Sequence, residues 1–375
     1  MARQRIDDGG GALRGNFVSE WFGHRVYPTV AGDTQILADQ RTARCPFLSE
    51  ATSTDTVCVK SAASKGICTI SSASNGPRQD WLVCPHRAVT SVLLEAAARR
   101  LFSIETAREL LAIPAPVLAN PVRREELSQM LQRGSAAVVY FQNRLGGEIS
   151  VSATEHSPEV SFDVTMVEMV LKAGRVDIEK YGILEVQTMD FHGSYRRAVD
   201  NLSDALRLHG GEFHERLREN RGRWLSEKIE GPNIANVFKR TFYQMMLKFQ
   251  IGAHESAAGC VLAIPASVWD SWQRHLGGPE LTSGEGGTFT MARSAENPPP
   301  ARAPAWIYVF DVDASGAESP NQLKIVKMIA TDADSVAHYA VKVAPEAAVE
   351  HGGSGGNLVA TIRRRLSGFW PDLGT

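Results

Sequence analysis

The residues best suited to chemistry lie between Ser157 and Tyr195, which reads SPEVSFDV, a spacer, and then YGILEVQTMDFHGSY. Asp163 stands in the first apolar run, and Glu185, Val186 and Gln187 stand in the second. Successive side chains of an extended strand alternate, so Glu185 and Gln187 share one face and Val186 turns into the core. Carboxylates from neighbouring strands supply the hard oxygen donors that hold Mg²⁺, and an ion so held activates a water and steadies a leaving oxygen at phosphorus. Gln187 adds an amide that orients a water or a phosphate oxygen but brings no positive charge. Glu148, at the start of the preceding strand, is a further acid for a second ion or for holding Gln187. The competing reading is a half-buried hairpin whose polar residues face solvent, and spacing alone does not separate the two.

A second constellation is cysteine. Of five cysteines, Cys45, Cys58, Cys68 and Cys84 fall in one short segment and Cys260 stands alone in the apolar GCVLAIP. Disulfides are disfavoured in a chain without a secretory signal, so four local thiols point to a tetrahedral zinc or iron site. None of the pairs has CxxC spacing, and buried free thiols are the alternative. A metal here would have a structural job, because a segment this rich in Ser, Thr and Gly has little apolar material to fold around. Cys260 reads as an ordinary core residue.

The elements that must position these residues follow from periodicity. FVSEWFGHRVYP begins ordered structure, with His24 and Arg25 in a packed turn. Val92, Leu93, Ala97, Leu101 and Ile104 recur at helical intervals, IPAPVLANP reads as a connection across the surface, and VRREELSQMLQRG is a charged helix ending at Gly134. AAVVYFQ, EISVS and SPEVSFDVTMVEMV are β-type runs, and IEKYGILEVQTM is apolar too continuously for a one-sided hairpin, hence a central strand. A helix from Ser194 carries Tyr195, Val199, Leu202 and Leu206 as its stripe. Residues 209 to 233 read as a basic loop. ANVFKRTFYQMMLKFQ is a second helix, GCVLAIP a buried strand, SVWDSWQRHL a short helix and AWIYVFDVD another strand. The Gly- and Pro-rich stretch 277–304 is the best long-loop candidate, and the chain closes on a basic helix, LVATIRRRLSGFW.

Length and composition set bounds. The chain has 375 residues, 43% hydrophobic and 22% charged, ordinary for a globular protein with a substantial core. Net charge of -2 argues against wholesale coating of a polyanion but leaves room for a local basic face. No run approaches a membrane span and the polar, Gly-rich start lacks the apolar core of a signal peptide, so cytoplasmic residence is expected.

Taken together, the blocks FGHRVYP, RCPFL, VCVK, GICTI, DWLVCPHRA, LGGEIS, SPEVSFD, YGILEVQTMDFHGSY, EGPN, NVFKRTFYQM and AIPASVW resemble the NotI-like type II restriction endonucleases in order and nearly in spacing, over roughly residues 17 to 310. The resemblance implies a mixed α/β fold: a PD-(D/E)xK nuclease core with a central mixed sheet flanked by helices, plus an N-terminal four-cysteine metal-binding segment. It implies Asp163, Glu185 and Gln187 as the catalytic trio, with Gln187 in the place of the pattern's lysine, Glu148 as a supporting acid, and Mg²⁺ on Asp163 and Glu185. Cys45, Cys58, Cys68 and Cys84 would hold iron in a structural role, a choice over zinc that thiol chemistry alone does not make. The implied partners are double-stranded DNA, cut in both strands at a GC-rich palindrome containing GGCC and similar to GCGGCCGC, a second copy of the chain, and a cognate methyltransferase that protects the DNA of the bacterial host. The expected organisation is a flexible arm over 1–16, the cysteine segment over 17–90, the core over 91–312 and an extension over 313–375.

Base readers must lie near the acids, and Met189, Asp190, His192, Arg196 and Arg197 follow them closely. Arg to guanine and Asp to cytosine are the pairings that a GC-only target demands. Lys239 and Arg240 are the candidates for phosphate contact, against the common alternative of a solvated helix face. Two other classes stay open: a site-specific DNA-binding protein of the same fold that has lost catalysis, with Gln187 as the lesion, and a redox protein built on the four-cysteine site.

Overall fold

The computed structural model describes residues 15–74, 76–225, 228–293, 303–313, 319–350 and 355–370. Residues 1–14 of the expected arm and 294–302 of the Gly- and Pro-rich stretch lie outside the described residues.

The chain begins with a small antiparallel sheet. β1 (Phe17–Trp21) turns through Phe22 and Gly23, both at positive φ, into β2 (His24–Arg25). A side chain on Gly23 would run into Pro46, so the turn needs glycine for space as well as for conformation. Asp33 caps α1 (Thr34–Thr42) by accepting from the Ile36 amide, and α2 (Pro46–Thr52) starts on a proline directly after Cys45. β3 (Ile67–Ser72) and β4 (Gln79–Leu82) complete the order β2-β1-β3-β4, and α3 (Pro85–Ala88) follows Cys84.

The larger unit is a mixed α/β body around a nine-stranded sheet. α4 (Ser91–Leu101) buries Leu93, Leu94, Ala97, Ala98 and Leu101. β5 (Leu110–Pro114) and β6 (Ala136–Gln142) are parallel and joined across α5 (Pro121–Gln132). IPAPVLANP is thus not wholly a surface connection. Its first residues end an edge strand, where a proline costs no ladder bond. β7 (Ile149–Val151) and β8 (Val160–Phe162) pair only with each other. β9 (Val164–Lys172) and β10 (Arg175–Val186) form a long hairpin. Residues 209 to 233, expected as a loop, fold largely as helix: after α6 (Arg196–His209) come α7 (Phe213–Glu219) and α8 (Arg221–Trp224), which bury Phe213, Leu217 and Trp224 beneath their charged neighbours.

α9 (Ile234–Gly252) then leads to β11 (Ala257–Pro265), buried along its whole length and parallel to β10. After α10 (Ala266–Trp272) come the short β12 (Thr282–Ser283) and β13 (Thr288–Thr290), then β14 (Ala305–Val312), β15 (Leu323–Thr331) and α11 (Ala333–His338). Helices α12 (Ala344–Glu350) and α13 (Gly355–Leu366) follow. The sheet order is β12-β13-β15-β14-β11-β10-β9-β6-β5. β15, past residue 312, is therefore an interior strand of the main sheet.

Strand parity divides the core. Ile183, Leu262, Ile264, Ile307 and Val309 pack with α6 and α9, whereas Leu184, Val186, Val261, Ala263, Tyr308 and Phe310 pack on the opposite face with α4. By the same alternation Glu185 and Gln187 lie on the α9 face. No helix among the described residues is long and apolar enough to cross a membrane.

Candidate active site

Asp163 sits in the break between β8 and β9, and Glu185 is the penultimate residue of β10. Antiparallel pairing of Leu184 with Val164 sets them side by side, and each carboxylate accepts from a backbone amide of the other's segment. Asp163 Oδ2 accepts from the Val186 amide at 3.0 Å, and Glu185 Oε1 accepts from the Asp163 amide at 3.2 Å. Gln187 continues the line past the strand end, its own amide donating to the Ala263 carbonyl at 3.0 Å.

The other wall is α9. Thr241, Gln244, Met245 and Lys248 recur at i, i+3, i+4 and i+7 and so form one stripe facing the acids. Thr241 Oγ1 donates to Gln187 Oε1 at 2.5 Å, and Gln187 Nε2 donates to the Thr188 carbonyl. Lys248 Nζ meets Glu185 Oε2 at 2.5 Å. Between the walls lies a cavity of about 30 Å³, bounded by Asp163, Glu185, Gln187, Thr241, Gln244 and Lys248.

Its electrostatics are set by crowding of negative charge in a dry place. Burial, and next the charge of Asp163, push the Glu185 carboxyl up to about 8, against the opposing pull of Lys248. The donors suit a hard divalent ion: Asp163 Oδ1 has no hydrogen bond among the described residues, and both carboxylates open onto the same cavity. Among the described residues no group of three or more His, Cys, Asp and Glu side chains is gathered to hold a metal, so a cation here would take its remaining ligands from water or phosphate.

Lys248 and Thr241 were not singled out by spacing. The signal was present for Lys248. Val237, Phe238, Thr241, Met245 and Phe249 mark the buried stripe of α9, and Lys248 falls on that stripe rather than on the polar one.

The other expected residues are placed unevenly. Glu148 is exposed, accepts from Asn143 Nδ2 at 3.1 Å and is not among the cavity's lining residues; the bonds of the Gln187 side chain are to Thr188 and Thr241 instead. Met189 is fully buried in the main core, so it presents no edge to a DNA groove. Asp190, His192, Arg196 and Arg197 are exposed, as are Lys239 and Arg240 on the outer side of α9. Asp190 pairs with Arg240 at 2.7 Å, and backbone bonds from Asn233 to Asp190 and from His192 to Gly231 tie this segment to the start of α9. Arg196 and Arg197 open α6, where no acidic residue answers the positive end of the helix dipole.

In the N-terminal unit, Cys45, Cys68 and Cys84 pack as a buried cluster with Cys58 against it, and all four line a cavity of about 10 Å³. Gly66 donates its amide to Cys58 Sγ at 3.4 Å. A hydrogen bond from the Cys68 thiol, against the cost of burial and with help from Lys60 and His86, lowers the Cys84 thiol to about 5. The five cysteines are free. The expected four-cysteine metal cluster is not formed as such: the thiols converge on one cavity without closing into a ligand set. Burial pushes the Cys45 thiol up to about 11, and a hydrogen bond to Cys84 together with burial pushes the Cys68 thiol up as well.

Neither protein-family models nor curated proteins match this chain.

Proposed function

We propose that the chain is a Mg²⁺-dependent endonuclease of the PD-(D/E)xK type and, following its resemblance to the NotI-like enzymes, a homodimeric type II restriction endonuclease of the bacterial cytoplasm. Its substrate would be double-stranded DNA at a GC-rich palindrome containing GGCC, with a cognate methyltransferase sparing host DNA. The observation that carries the reading is the juxtaposition of Asp163, just ahead of β9, and Glu185, near the end of β10, with Glu185 held by the Asp163 amide, Asp163 by the Val186 amide, and both open to one cavity.

Each residue then has a task. Asp163 and Glu185 hold the ion, which when bound makes a water more acidic and offsets charge at the phosphate. Gln187, steadied by Thr241, keeps one lone pair and one N–H with which to orient that water. Asp190, His192, Arg196 and Arg197, exposed beyond the catalytic strand, are the candidates for base edges, and Lys239 and Arg240 those for the phosphate backbone. Cys45, Cys58, Cys68 and Cys84 would bind iron, or less favourably zinc, in a structural role.

The test is cleavage of linear DNA containing GCGGCCGC with Mg²⁺ and mapping of the ends, repeated with Glu185→Ala. Loss of at least about 100-fold in rate is expected from removing a metal ligand. Undiminished cutting would sink the assignment. A binding module without catalysis predicts instead salt-dependent, site-specific binding and no strand breaks with any divalent ion.

A further inference from the structure

The acids of this site face a deficit of positive charge at Gln187, and one side chain from another element stands where it could make up that deficit. Lys248 is only 5% exposed, and its polar partner among the described residues is Glu185. The cavity that it lines is partly apolar, with Met245, Phe249, Cys260 and Leu262 beside Asp163, Gln187, Thr241 and Gln244. Lysines normally extend their stems over apolar surface and keep the charge in water, as exposed Lys239 does on the same helix. Burying that charge costs several kcal/mol before pairing, and an apolar residue of like volume stabilises a fold at least as well. Val237, Phe238 and Phe249 already supply the packing of α9. Stability therefore gives no reason for a lysine at this position, whereas a site that must gather two carboxylates and a phosphate does.

We propose that Lys248 is the catalytic lysine of this site, delivered from α9 on the wall opposite Gln187 rather than from the position two residues after Glu185. The assignment rests on the reading of Asp163 and Glu185 as a phosphodiester hydrolase. In that reaction the water oxygen bonds to phosphorus, one ester P–O bond breaks, the proton of the water passes to solvent, and the leaving oxygen takes up a proton. Lys248 stays protonated throughout. It donates hydrogen bonds to the attacking water or to a non-bridging oxygen, and its charge offsets the negative charge that grows at phosphorus. Gln187 follows the strand wall and Lys248 stands on the α9 wall, so the amide that orients the nucleophile and the charge that steadies it come from separate elements.

The experiment compares wild type with Lys248→Met, Lys248→Arg and Glu185→Ala. Single-turnover cleavage of linear DNA containing GCGGCCGC is measured with Mg²⁺, affinity for the same DNA with Ca²⁺, and binding of Mn²⁺ alone by calorimetry. The expected result is a fall of at least about 100-fold in the rate of Lys248→Met, with DNA affinity within about threefold of wild type. Lys248→Arg should cut at least about tenfold faster than Lys248→Met, because charge rather than shape is what is needed. Mn²⁺ should bind Lys248→Met at least about threefold tighter, since no ammonium then competes for Glu185. A rate for Lys248→Met within threefold of wild type, no advantage of Arg over Met, or unchanged Mn²⁺ affinity would overturn the assignment. If Glu185→Ala is inert while Lys248→Met cuts normally, the lysine assignment alone fails; if wild type leaves DNA intact, or Glu185→Ala cuts normally, the hydrolase reading fails and takes the lysine with it.

Discussion

Burial and a neighbouring acid push the Glu185 carboxyl up to about 8 against the pull of the Lys248 ammonium beside it, so it holds a proton more readily than an ordinary carboxylate. That makes Glu185 a proton-coupled ligand. Below about 8 an incoming divalent ion must displace one proton, so Mn²⁺ affinity of the metal-free protein should rise about tenfold per pH unit up to that point and level off above it. Calorimetry at several pH values checks this, and Glu185→Gln should flatten the dependence. The stability sign follows from the same shift. Because the folded value lies above the unfolded one, the contribution of Glu185 is fully present below the unfolded value and is lost as pH rises through about 8. Added Mn²⁺ should raise the melting temperature most at the alkaline end, where the ionised pair is otherwise left to repel. Mn²⁺ stabilisation equal at acid and alkaline pH would rule out Glu185 as the ligand that titrates.

At the scale of elements, the start of β9 and the end of β10 bring the acids together and α9 fixes what stands next to them. β10 was legible because the apolar residues of YGILEV fall on both faces and only Glu185 interrupts them, as in an interior strand, and α9 because its aromatic and Met residues keep helical spacing. What was hidden is how the two meet. Lys248 is one of several basic residues in its helix, and only the register of α9 against β11 brings it to Glu185 rather than to solvent. β15 was hidden for another reason: LKIVKMIAT alternates buried and exposed residues next to a weakly patterned segment, so its apolar content is diluted. The helices α7 and α8 were masked by arginines that surround, but do not replace, Phe213, Leu217 and Trp224. The role of α9 has a separable consequence at Thr241. Thr241→Val keeps shape but removes the donor to Gln187, a bond worth about 1 kcal/mol, so cleavage should slow about threefold to tenfold with DNA affinity unchanged. Equal rates for Thr241→Val and wild type in single turnover would mean that the Gln187 amide needs no anchor.

At the scale of the molecule, the question is what joins the cysteine-bearing unit to the main sheet. Apolar packing contributes, since Phe17, Trp21, Ile67 and Trp81 share a core with β11 and α9. A buried charge cluster adds specificity. Arg87 lies under the small sheet with its Nε on Glu20 at 2.9 Å, a second nitrogen on the other Glu20 oxygen at 3.0 Å, and that same nitrogen on the Asn321 carbonyl at 2.7 Å, just ahead of β15. Arg25 reaches the Asn321 side chain at 3.0 Å. Burial pushes the Glu20 carboxyl up, but the charge and hydrogen bond of Arg87, then Arg25 and Thr69, together hold it below the ordinary value. Its contribution to stability is therefore present above the unfolded value and is lost as pH falls through the folded one. Arg87→Met strands a buried carboxylate and should cost about 3–5 kcal/mol, whereas Glu20→Gln combined with Arg87→Met removes both charges and should recover most of that loss. Urea unfolding at neutral and acid pH distinguishes the cases: the single variant should gain relative to wild type on acidification, as protonation relieves its stranded Glu20, and the double variant should lose the Glu20-dependent part of the acid limb. A single variant as stable as wild type at neutral pH would mean that apolar packing alone holds the two sheets together.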